Sequence, residues 1–329
     1  MNDMNIFSKA NPWADMESSS LDSGILSTGC SQKYVHSLYI GCDEHGRYLF
    51  LFKLPQGNLD LDTISLPRIK GCSSDIFEYN GSTFFCLALG NQKDWRLFKL
   101  LCQEIVSELE NHDKQENQYL LKILSDILNR CGRFFSKNKD TMTREDAVGL
   151  WGELHFLIKV VEPAIGISRA IASWKGPLGC PQDFAVNDTI IEVKTTESAN
   201  RNLVKISSAD QLFFCTELGF LHVLTVSETG NNQGASLNSL VEEIKNKCEQ
   251  EKVEIADFLA KLGLLNYTSA SHYAHKGYLV LQETFYKVGN DFPRLVPCML
   301  PTGVEQIKYS INLNLCEQFK QTPDWICYE

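Results

Sequence analysis

The sequence predicts an α/β protein in which a mixed central sheet is flanked by helices and preceded by a β-rich module. Two hairpin patterns occupy the first hundred residues, one turning at Asp43-Glu-His-Gly46 and the other at Asn80-Gly81, which is a strong short-range hairpin signal. From residue 143 onward, helical periodicity alternates with short apolar strands in the order helix, hairpin, helix, strand. This order is typical of an α/β core with a mixed sheet.

Composition divides the chain into four predicted segments. Residues 1–32 are rich in Ser, Asp, Asn and Gly and are interpreted as an irregular N-terminal arm. Residues 33–92 form the β-rich module, and residues 93–142 form a helical connector of two amphipathic helices. Residues 143–329 form the α/β domain, which we expect to carry the function of the protein.

Local signals place the elements within these segments. Asp94 is the expected N-cap of the first connector helix, and Thr143 is the expected N-cap of the helix that opens the α/β domain. In that domain a hairpin turns at Asn187-Asp188, and a helix is expected at about 207–218. Strands are expected at about 220–226, 277–288 and 303–313, and a pair of helices is expected at about 236–262.

The charge and hydropathy of the chain limit its function classes. The 329 residues carry a formal net charge of −10, whereas a general nucleic-acid binder usually has a basic balance because phosphate contacts supply its affinity. A role on DNA therefore requires a local basic groove, a metal ion that offsets the acidic charge, or a partner subunit. No apolar run approaches the roughly 18 residues of a membrane span, and the first residues lack a secretory signal pattern. We therefore expect a cytoplasmic protein with no membrane association.

Cysteine and histidine patterns give only weak metal signals. Twelve cysteines are scattered along the sequence without a Cys-x-x-Cys pair, and in a reducing cytosol free thiols are the expected state. His272 and His275 have a spacing that one metal ion can use, but no second ligand pair accompanies them. A polar turn is the better interpretation of these two histidines.

The hairpin around Asn187-Asp188 carries an unusual set of charges for a buried strand pair. Because strand side chains alternate, Glu192 and Lys194 share one face, and the turn position sets Asp183 opposite Glu192. Two opposed carboxylates repel each other unless a cation lies between them. Taken separately, each residue is more often a solvated ion pair or a strand-end residue. Taken together they predict a Mg²⁺ site, in which Mn²⁺ substitutes.

Two further groups complete the predicted site. The backbone carbonyl of Val193 is a candidate ligand, and Glu153 is a candidate carboxylate from the preceding helix, where its apolar neighbours make an unpaired charge costly. A bound divalent ion lowers the pKa of water and stabilises charge on a phosphoryl oxygen. Lys194 is then expected to orient the water or stabilise the developing negative charge.

This pattern resembles the PD-(D/E)XK nuclease superfamily and, more narrowly, a bacterial family of PD-(D/E)XK motif proteins linked to restriction and phage-defence gene clusters. The resemblance covers roughly residues 35–315 and is carried mainly by 149–212. The runs in that part are GLWGELHFL, the stretch from Trp174-Lys-Gly-Pro to Gln182-Asp-Phe, IEVKTT and SSADQL, and the later runs DFPRL and LPTGVEQIKYSINL also match. It implies a restriction-endonuclease-like core. The proline of the motif is displaced by one position, since Pro181 is followed by Gln182 before Asp183.

The resemblance also implies roles for residues of this chain. Asp183 and Glu192 bind the metal, Lys194 serves the water or the scissile phosphate, and Glu153 is the acidic residue of the first core helix. Gln211 matches a polar position that faces the site in related nucleases. The implied activity is a Mg²⁺-dependent DNA endonuclease of restriction or phage-defence type.

Substrate contacts and partners are open to several interpretations. Polar residues in loops near the hairpin are candidate DNA contacts, namely Lys175, Gln182, Arg201, Lys205 and Arg294. Asn200, Asn202 and Gln182 are candidates for reading base edges. The main alternative is a non-cleaving interaction or DNA-binding subunit of a multi-protein defence complex, and an RNA or repair nuclease shares the same chemistry. Expected partners are DNA, other subunits of a defence system, and a second copy if both strands are cut.

Overall fold

The chain folds into two compact units, Met1–Asn138 and Lys139–Glu329. The structure is a computed structural model, and it describes residues 7, 9, 11–14, 16, 25–27, 37–55, 66–67, 69, 71–110, 117–136, 142–197, 202–214, 216, 218–229, 234–304 and 306–326. None of the helices in these ranges is both long and apolar enough to cross a bilayer.

The first unit is built on an antiparallel five-stranded sheet. Its strands are β1 (Ile25–Ser27), β2 (Leu38–Asp43), β3 (Tyr48–Lys53), β4 (Cys72–Tyr79) and β5 (Ser82–Leu89), in the spatial order β1-β2-β3-β5-β4. Asn80 and Gly81 have φ values of 50° and 69°, as a two-residue hairpin turn with φ > 0 at both positions requires. Both hairpins predicted from the sequence are confirmed.

Two helices share the hydrophobic core of this sheet. They are α1 (Trp95–Glu110) and α2 (Asn117–Ser136), and Phe98 and Leu124 are buried in one cluster with Phe50 of β3. The segment expected to be a connector therefore contributes to the core of the first unit. A 3-10 turn precedes α1, and its N-cap is Asn91, not Asp94, because the Asn91 side chain accepts the Lys93 N–H.

The N-terminal segment also differs from the irregular arm that its composition predicts. Trp13 is fully buried in the same cluster, and its Nε1 donates to the Leu49 carbonyl at 2.8 Å. β1 pairs with β2 and extends the sheet. The aromatic side chain gains more from burial than the polar composition around it suggests.

The second unit is α/β with a mixed five-stranded sheet, which confirms the predicted fold class. Its strands are β6 (Phe184–Val186), β7 (Thr189–Glu197), β9 (Gly219–Thr229), β10 (Ala235–Ser236) and β11 (Gly277–Lys287), in the order β10-β11-β9-β7-β6. The β7–β9 pair is parallel and the other pairs are antiparallel. β8 (Leu203–Ile206) and β12 (Tyr309–Asn312) form a separate antiparallel pair, which we call the ribbon.

Helices cover one face of this sheet. They are α3 (Arg144–Phe156), which continues through a π-helical turn at Leu157–Val161 into α4 (Glu162–Ile165), followed by α5 (Ile167–Ser173), α6 (Leu237–Gln250) and α7 (Ala256–Leu264). Thr143 is the N-cap of α3, as predicted, in a capping box with Asp146. α3 packs very closely on β7, since a Cβ on Gly152 would lie 1.8 Å from Thr195 Oγ1.

The helix predicted at 207–218 is wrong, because the structure has only a 3-10 turn at Ala209–Leu212. Side chains, two of them distant in sequence, bind the main-chain groups of this turn. Gln211 Oε1 accepts the Ser207 N–H, Gln182 donates to the carbonyls of Asp210 and Phe213, and Arg294 donates to the carbonyl of Leu212. Gln182 and Arg294 are distant in sequence from this turn, so local periodicity did not predict it.

The ribbon packs on the opposite face of the sheet from the helices. Its inward residues share a cluster with Leu221 and Val223 of β9. These two residues are the register partners of Glu192 and Lys194 in the parallel β7–β9 pair. Partners in adjacent strands point to the same side of a sheet, so Glu192 and Lys194 point to the ribbon side.

Candidate functional site

The β6–β7 hairpin fixes Asp183 next to β7. Phe184 pairs with Ile191, so the next step along the ladder sets Asp183 opposite Glu192, as predicted. Asp183 Oδ2 accepts the Val193 N–H at 2.8 Å, and the Asp183 carbonyl accepts the N–H groups of Lys175 and Gly176 at 2.7 and 3.1 Å. The main chain and the side chain of Asp183 are therefore both held in place.

Glu192 and Lys194 form a partly enclosed ion pair on β7. Lys194 Nζ lies 2.6 Å from Glu192 Oε1, and the Glu192 side chain is fully buried while 18% of the Lys194 side chain is exposed. Oε2 of Glu192 receives no hydrogen bond from the described residues. A buried carboxylate oxygen without a donor carries a large desolvation cost, so it is a candidate for binding a cation.

Burial and neighbouring charges shift the pKa values of this pair in the same direction. Burial, and next the charge of Asp183, raise the pKa of Glu192 well above its usual range, although Lys194 acts against the shift. Burial lowers the pKa of Lys194, but the Glu192 and Asp183 carboxylates outweigh it and the pKa is raised. Lys194 is therefore an ammonium at neutral pH and not a proton acceptor.

Glu153 approaches this group from α3. Its Oε2 accepts a hydrogen bond of 2.7 Å from Nε1 of the fully buried Trp174. The buried Lys261 donates to the carbonyls of Ile171 and Trp174 and so fixes the backbone that carries the indole. Part of Glu153 reaches solvent, yet its carboxyl group lies deep enough that burial, and next the Asp183 charge, raise its pKa to about 8.

Gly176 lets the main chain approach two of the carboxylates closely, because it has no side chain. A Cβ at this position would lie 2.9 Å from Asp183 Oδ1 and 3.2 Å from Glu153 Oε2. Both oxygens therefore border one small cradle that only glycine leaves free. Burial raises the pKa of Asp183 to about 6, although the Lys194 charge and the Val193 N–H lower it.

These oxygens fit a hard divalent cation in chemistry, but they do not form a three-carboxylate cage. Among the described residues no group of three or more His, Cys, Asp or Glu side chains is arranged to hold a metal ion. The candidate donors are carboxylate oxygens of Asp183 and Glu192 with the Val193 carbonyl, while Glu153 borders the cradle at Gly176. Two observations favour such an ion: Glu192 Oε2 has no hydrogen-bond donor among the described residues, and carboxylate oxygens of Asp183 and Glu153 both border the cradle at Gly176. The ligand set stays a prediction.

The other candidate residues from the sequence analysis are divided between intramolecular bonds, exposed positions and residues outside the described ranges. Gln211 and Arg294 use side-chain atoms in the intramolecular bonds of the 209–213 turn, and so does Gln182. Lys175 contributes its main-chain N–H to Asp183. Lys205 is exposed on β8. Arg201 and Asn200 lie outside the described residues, and Asn202 is exposed at the start of the ribbon.

The weaker metal signals of the sequence fit structural roles. His272 and His275 lie in one 3-10 turn, and His275 Nδ1 is 3.4 Å from the Asn238 side-chain nitrogen. The eight cysteines whose side chains the structure describes are free thiols, as predicted.

Sequence reasoning missed three residues near the site. Trp174 and Gly176 lie in the WKGP run before the hairpin, and only the fold brings them to Glu153 and Asp183. Tyr309 of β12 is the third. Burial raises the pKa of Tyr309, and a hydrogen bond from the Leu295 N–H and then the charges of Arg294 and Lys194 lower it. These contacts form only in the folded chain, so local sequence patterns do not predict them.

The chain matches one family model, described as "Putative PD-(D/E)XK family member, (DUF4420)", over residues 9–314. The chain belongs to this family. The match confirms the superfamily that the motifs resemble and indicates a nuclease-like enzyme. No curated protein and no solved structure matches the chain.

Proposed function

We propose that this PD-(D/E)XK family member is a Mg²⁺-dependent DNA endonuclease that hydrolyses phosphodiester bonds. The observation that carries the proposal is the set of Asp183, Glu192 and Lys194 on one hairpin, with a buried Glu192 oxygen that lacks a hydrogen-bond donor among the described residues. Mn²⁺ is expected to substitute for Mg²⁺, because both are hard cations that prefer oxygen ligands.

Asp183, Glu192 and the Val193 carbonyl would hold the ion, with Glu153 beside Asp183. When bound, a divalent ion supplies positive charge that offsets the phosphate and favours deprotonation of water. It also offers the buried carboxylates a counter-charge that a single lysine does not fully provide, as the raised pKa of Glu192 indicates.

Lys194 has the electrostatic role in the hydrolysis. A water oxygen attacks phosphorus and its proton passes to solvent, one P–O ester bond breaks, and the leaving sugar oxygen takes a proton from solvent. Negative charge builds up on the non-bridging oxygens as the attack proceeds. The partly exposed ammonium of Lys194 stabilises that charge from a fixed position, because its ion pair with Glu192 restricts the side chain.

The biological setting is inferred from the family resemblance. A link to defence gene clusters supports a restriction or phage-defence role in the cytoplasm, with partner subunits and, for double-strand cutting, a second copy of the chain. The alternative function is that of a non-cleaving interaction or DNA-binding subunit in a multi-protein defence complex.

Cleavage assays with matched variants test the proposal. Purified protein is incubated with Mg²⁺ or Mn²⁺ and with plasmid DNA, single-stranded DNA and RNA. Lys194→Ala and Glu192→Gln are expected to abolish DNA cleavage. Glu197→Gln is the control, because Glu197 lies on the same strand but pairs with Arg144 at the surface, and it should retain activity.

Two outcomes would overturn the proposal. Cleavage that survives in both Lys194→Ala and Glu192→Gln would remove these residues from the mechanism. Failure to cleave any substrate, together with no Mn²⁺ binding by calorimetry, would favour the non-cleaving subunit, above all if the protein co-purifies with an ATPase or a methyltransferase.

A further inference from the structure

The ribbon presents an outward face that contains no acidic residue. Side chains alternate along its strands, so Lys205 and Leu203 of β8 point outward, together with Ser310 and Asn312 of β12. Lys205 lies opposite Ser310, and Leu203 lies opposite Asn312. Lys308 continues the same face one step before β12 and is exposed.

Both lysines of this face are available to a ligand. Neither Lys205 nor Lys308 forms an ion pair within the described part of the chain, whereas many other lysines, such as Lys159 and Lys245, pair with glutamates. The face is thus a basic surface in a chain whose formal net charge is −10. Leu203 lies between these polar groups and is 51% exposed. Water solvates its apolar side chain poorly.

The inward face of the ribbon holds it rigidly on the sheet. Val204, Ile206 and Ile311 are buried with Leu221 and Val223 of β9. This places the ribbon on the side of the sheet to which Glu192 and Lys194 point. β8 also contacts β7, the strand that carries Glu192 and Lys194, so the ribbon lies beside the candidate site. The charge of Lys194 acts on Tyr309, on the inward side of β12, which is consistent with this placement.

We propose that the outward face of the β8–β12 ribbon binds in the major groove of duplex DNA and sets the duplex against the hairpin that carries Asp183. The proposal rests on the nuclease function proposed above and adds the substrate form and the element that binds it. The major groove of B-form DNA is about 12 Å wide and admits a two-stranded β-ribbon. The major groove of A-form RNA is too narrow for one, so duplex DNA is the ligand that fits.

The groups on the ribbon match such a groove. Lys205 and Lys308 can contact phosphates, and the Nδ2 of Asn312 can donate to a base edge, because its Oδ1 already accepts the Asn314 N–H. Leu203 can contact a thymine methyl group. The phosphate contacts determine the affinity and its salt dependence, and the base contacts of Asn312 and Leu203 determine any sequence preference.

The test measures DNA binding by fluorescence anisotropy in EDTA, where cleavage does not interfere. A short DNA duplex, the matching single strand and an RNA duplex are titrated with the full-length protein over a range of salt concentrations. The variants are the double substitution Lys205→Ala with Lys308→Ala, and Leu203→Glu. The control is Lys122→Ala with Lys245→Ala, which changes the net charge equally on helix surfaces outside the ribbon.

For the duplex, the lysine double variant should reduce the slope of log affinity against log salt by about 1 for each lysine. Leu203→Glu should weaken duplex binding because it puts a carboxylate among phosphates, and the control should leave the slope unchanged. Circular dichroism of each variant shows whether the fold is retained. We expect the fold to be retained, because all of the substituted side chains are exposed or at the surface.

Other outcomes separate this proposal from the nuclease proposal. Unchanged duplex binding in both ribbon variants would overturn the ribbon proposal, even if the wild type cleaves DNA. Equal or tighter binding of single strands or duplex RNA would also overturn it. Duplex binding that depends on the ribbon in a protein that never cleaves would support the ribbon and overturn the nuclease function.

Discussion

At the scale of single residues, the fully buried Glu192 is the costliest group of the site. A carboxylate without enough donors is destabilising inside a protein, and the protein shifts its pKa upward in response. Lys194 compensates for only part of that cost, since burial and Asp183 still raise the pKa of Glu192. Such a residue reduces folding stability in exchange for a site that attracts positive charge.

We therefore predict that Glu192→Gln stabilises the metal-free protein at neutral pH. A group whose folded pKa is raised contributes stability below its unfolded pKa of about 4.3, and loses that contribution as the pH rises through the folded value. Glutamine keeps the shape of the side chain and does not titrate. In EDTA at pH 7 the variant should melt at least about 2 °C higher than the wild type.

The pH dependence provides the control for this prediction. The difference in melting temperature between Glu192→Gln and the wild type should shrink as the pH falls below about 4, where the wild-type carboxyl becomes mostly protonated in both states. A variant that melts lower than the wild type at pH 7 would show that the Glu192–Lys194 ion pair stabilises the fold, and would contradict the upward pKa shift.

Burial also raises the pKa of a thiol, and a thiol with a raised pKa reacts slowly. Burial, and next the charge of Asp75, raise the pKa of Cys86 to about 12, and the buried Cys102 is also raised well above its usual value. Cys298 is exposed. We predict that an alkylating reagent at pH 8, followed by peptide mass spectrometry, modifies Cys298 before Cys86 and Cys102, and leaves these two intact until the protein unfolds.

At the scale of elements, the approach of α3 to β7 determines where Glu153 lies. We predict that Gly152→Ala destabilises the second unit by about 1–3 kcal/mol, because the new Cβ would clash with Thr195 on the strand. Gly149→Ala is the matched control on the same helix. No atom lies within 4 Å of its Cβ position, so alanine should stabilise the helix by about 0.5–1 kcal/mol.

Chemical denaturation of the two glycine variants measures the difference directly. Cleavage should also fall in Gly152→Ala, since a displaced α3 moves Glu153 away from Trp174, and should be unchanged in Gly149→Ala. Equal stability of the two variants would mean that the helix and the strand can separate without cost, which the burial of Gly152 argues against.

Elements with local signals were predictable from the sequence, and elements stabilised by distant residues were not. The Asn80-Gly81 turn and the Thr143 cap depend on residues within four positions of each other, and both are confirmed. The turn at 209–212 depends on Gln182 and Arg294, so the predicted helix there was wrong. The opposition of Asp183 and Glu192 followed from strand register alone, whereas the Trp174 bond to Glu153 required the fold.

At the scale of the whole molecule, the acidic net charge and a DNA substrate are compatible because charge is distributed unevenly. Among the described residues, Lys205 on the ribbon and Lys308 just before it form no ion pair and share an acid-free face, beside a site that would hold a divalent ion. Acidic groups elsewhere form surface ion pairs, such as Glu197 and Glu228 with Arg144. The local field at a surface, rather than the net charge, decides whether DNA can approach it.

The two compact units have separate hydrophobic clusters, and all of the candidate site residues belong to the second unit. We predict that residues 139–329, expressed alone, unfold in one cooperative transition by circular dichroism. The same segment should cleave DNA with the metal dependence of the full chain. Lys194→Ala in this segment is the control against a contaminating nuclease.

The two readouts of this truncation have different meanings. A segment that aggregates or melts without cooperativity would contradict the idea that its cores suffice for folding, and would assign part of its stability to the first unit. A well-folded segment that does not cleave would contradict the idea that its residues suffice for the reaction. A folded and active segment would leave the first unit, with its covered sheet and buried Trp13, for a role other than catalysis, such as docking on a partner subunit.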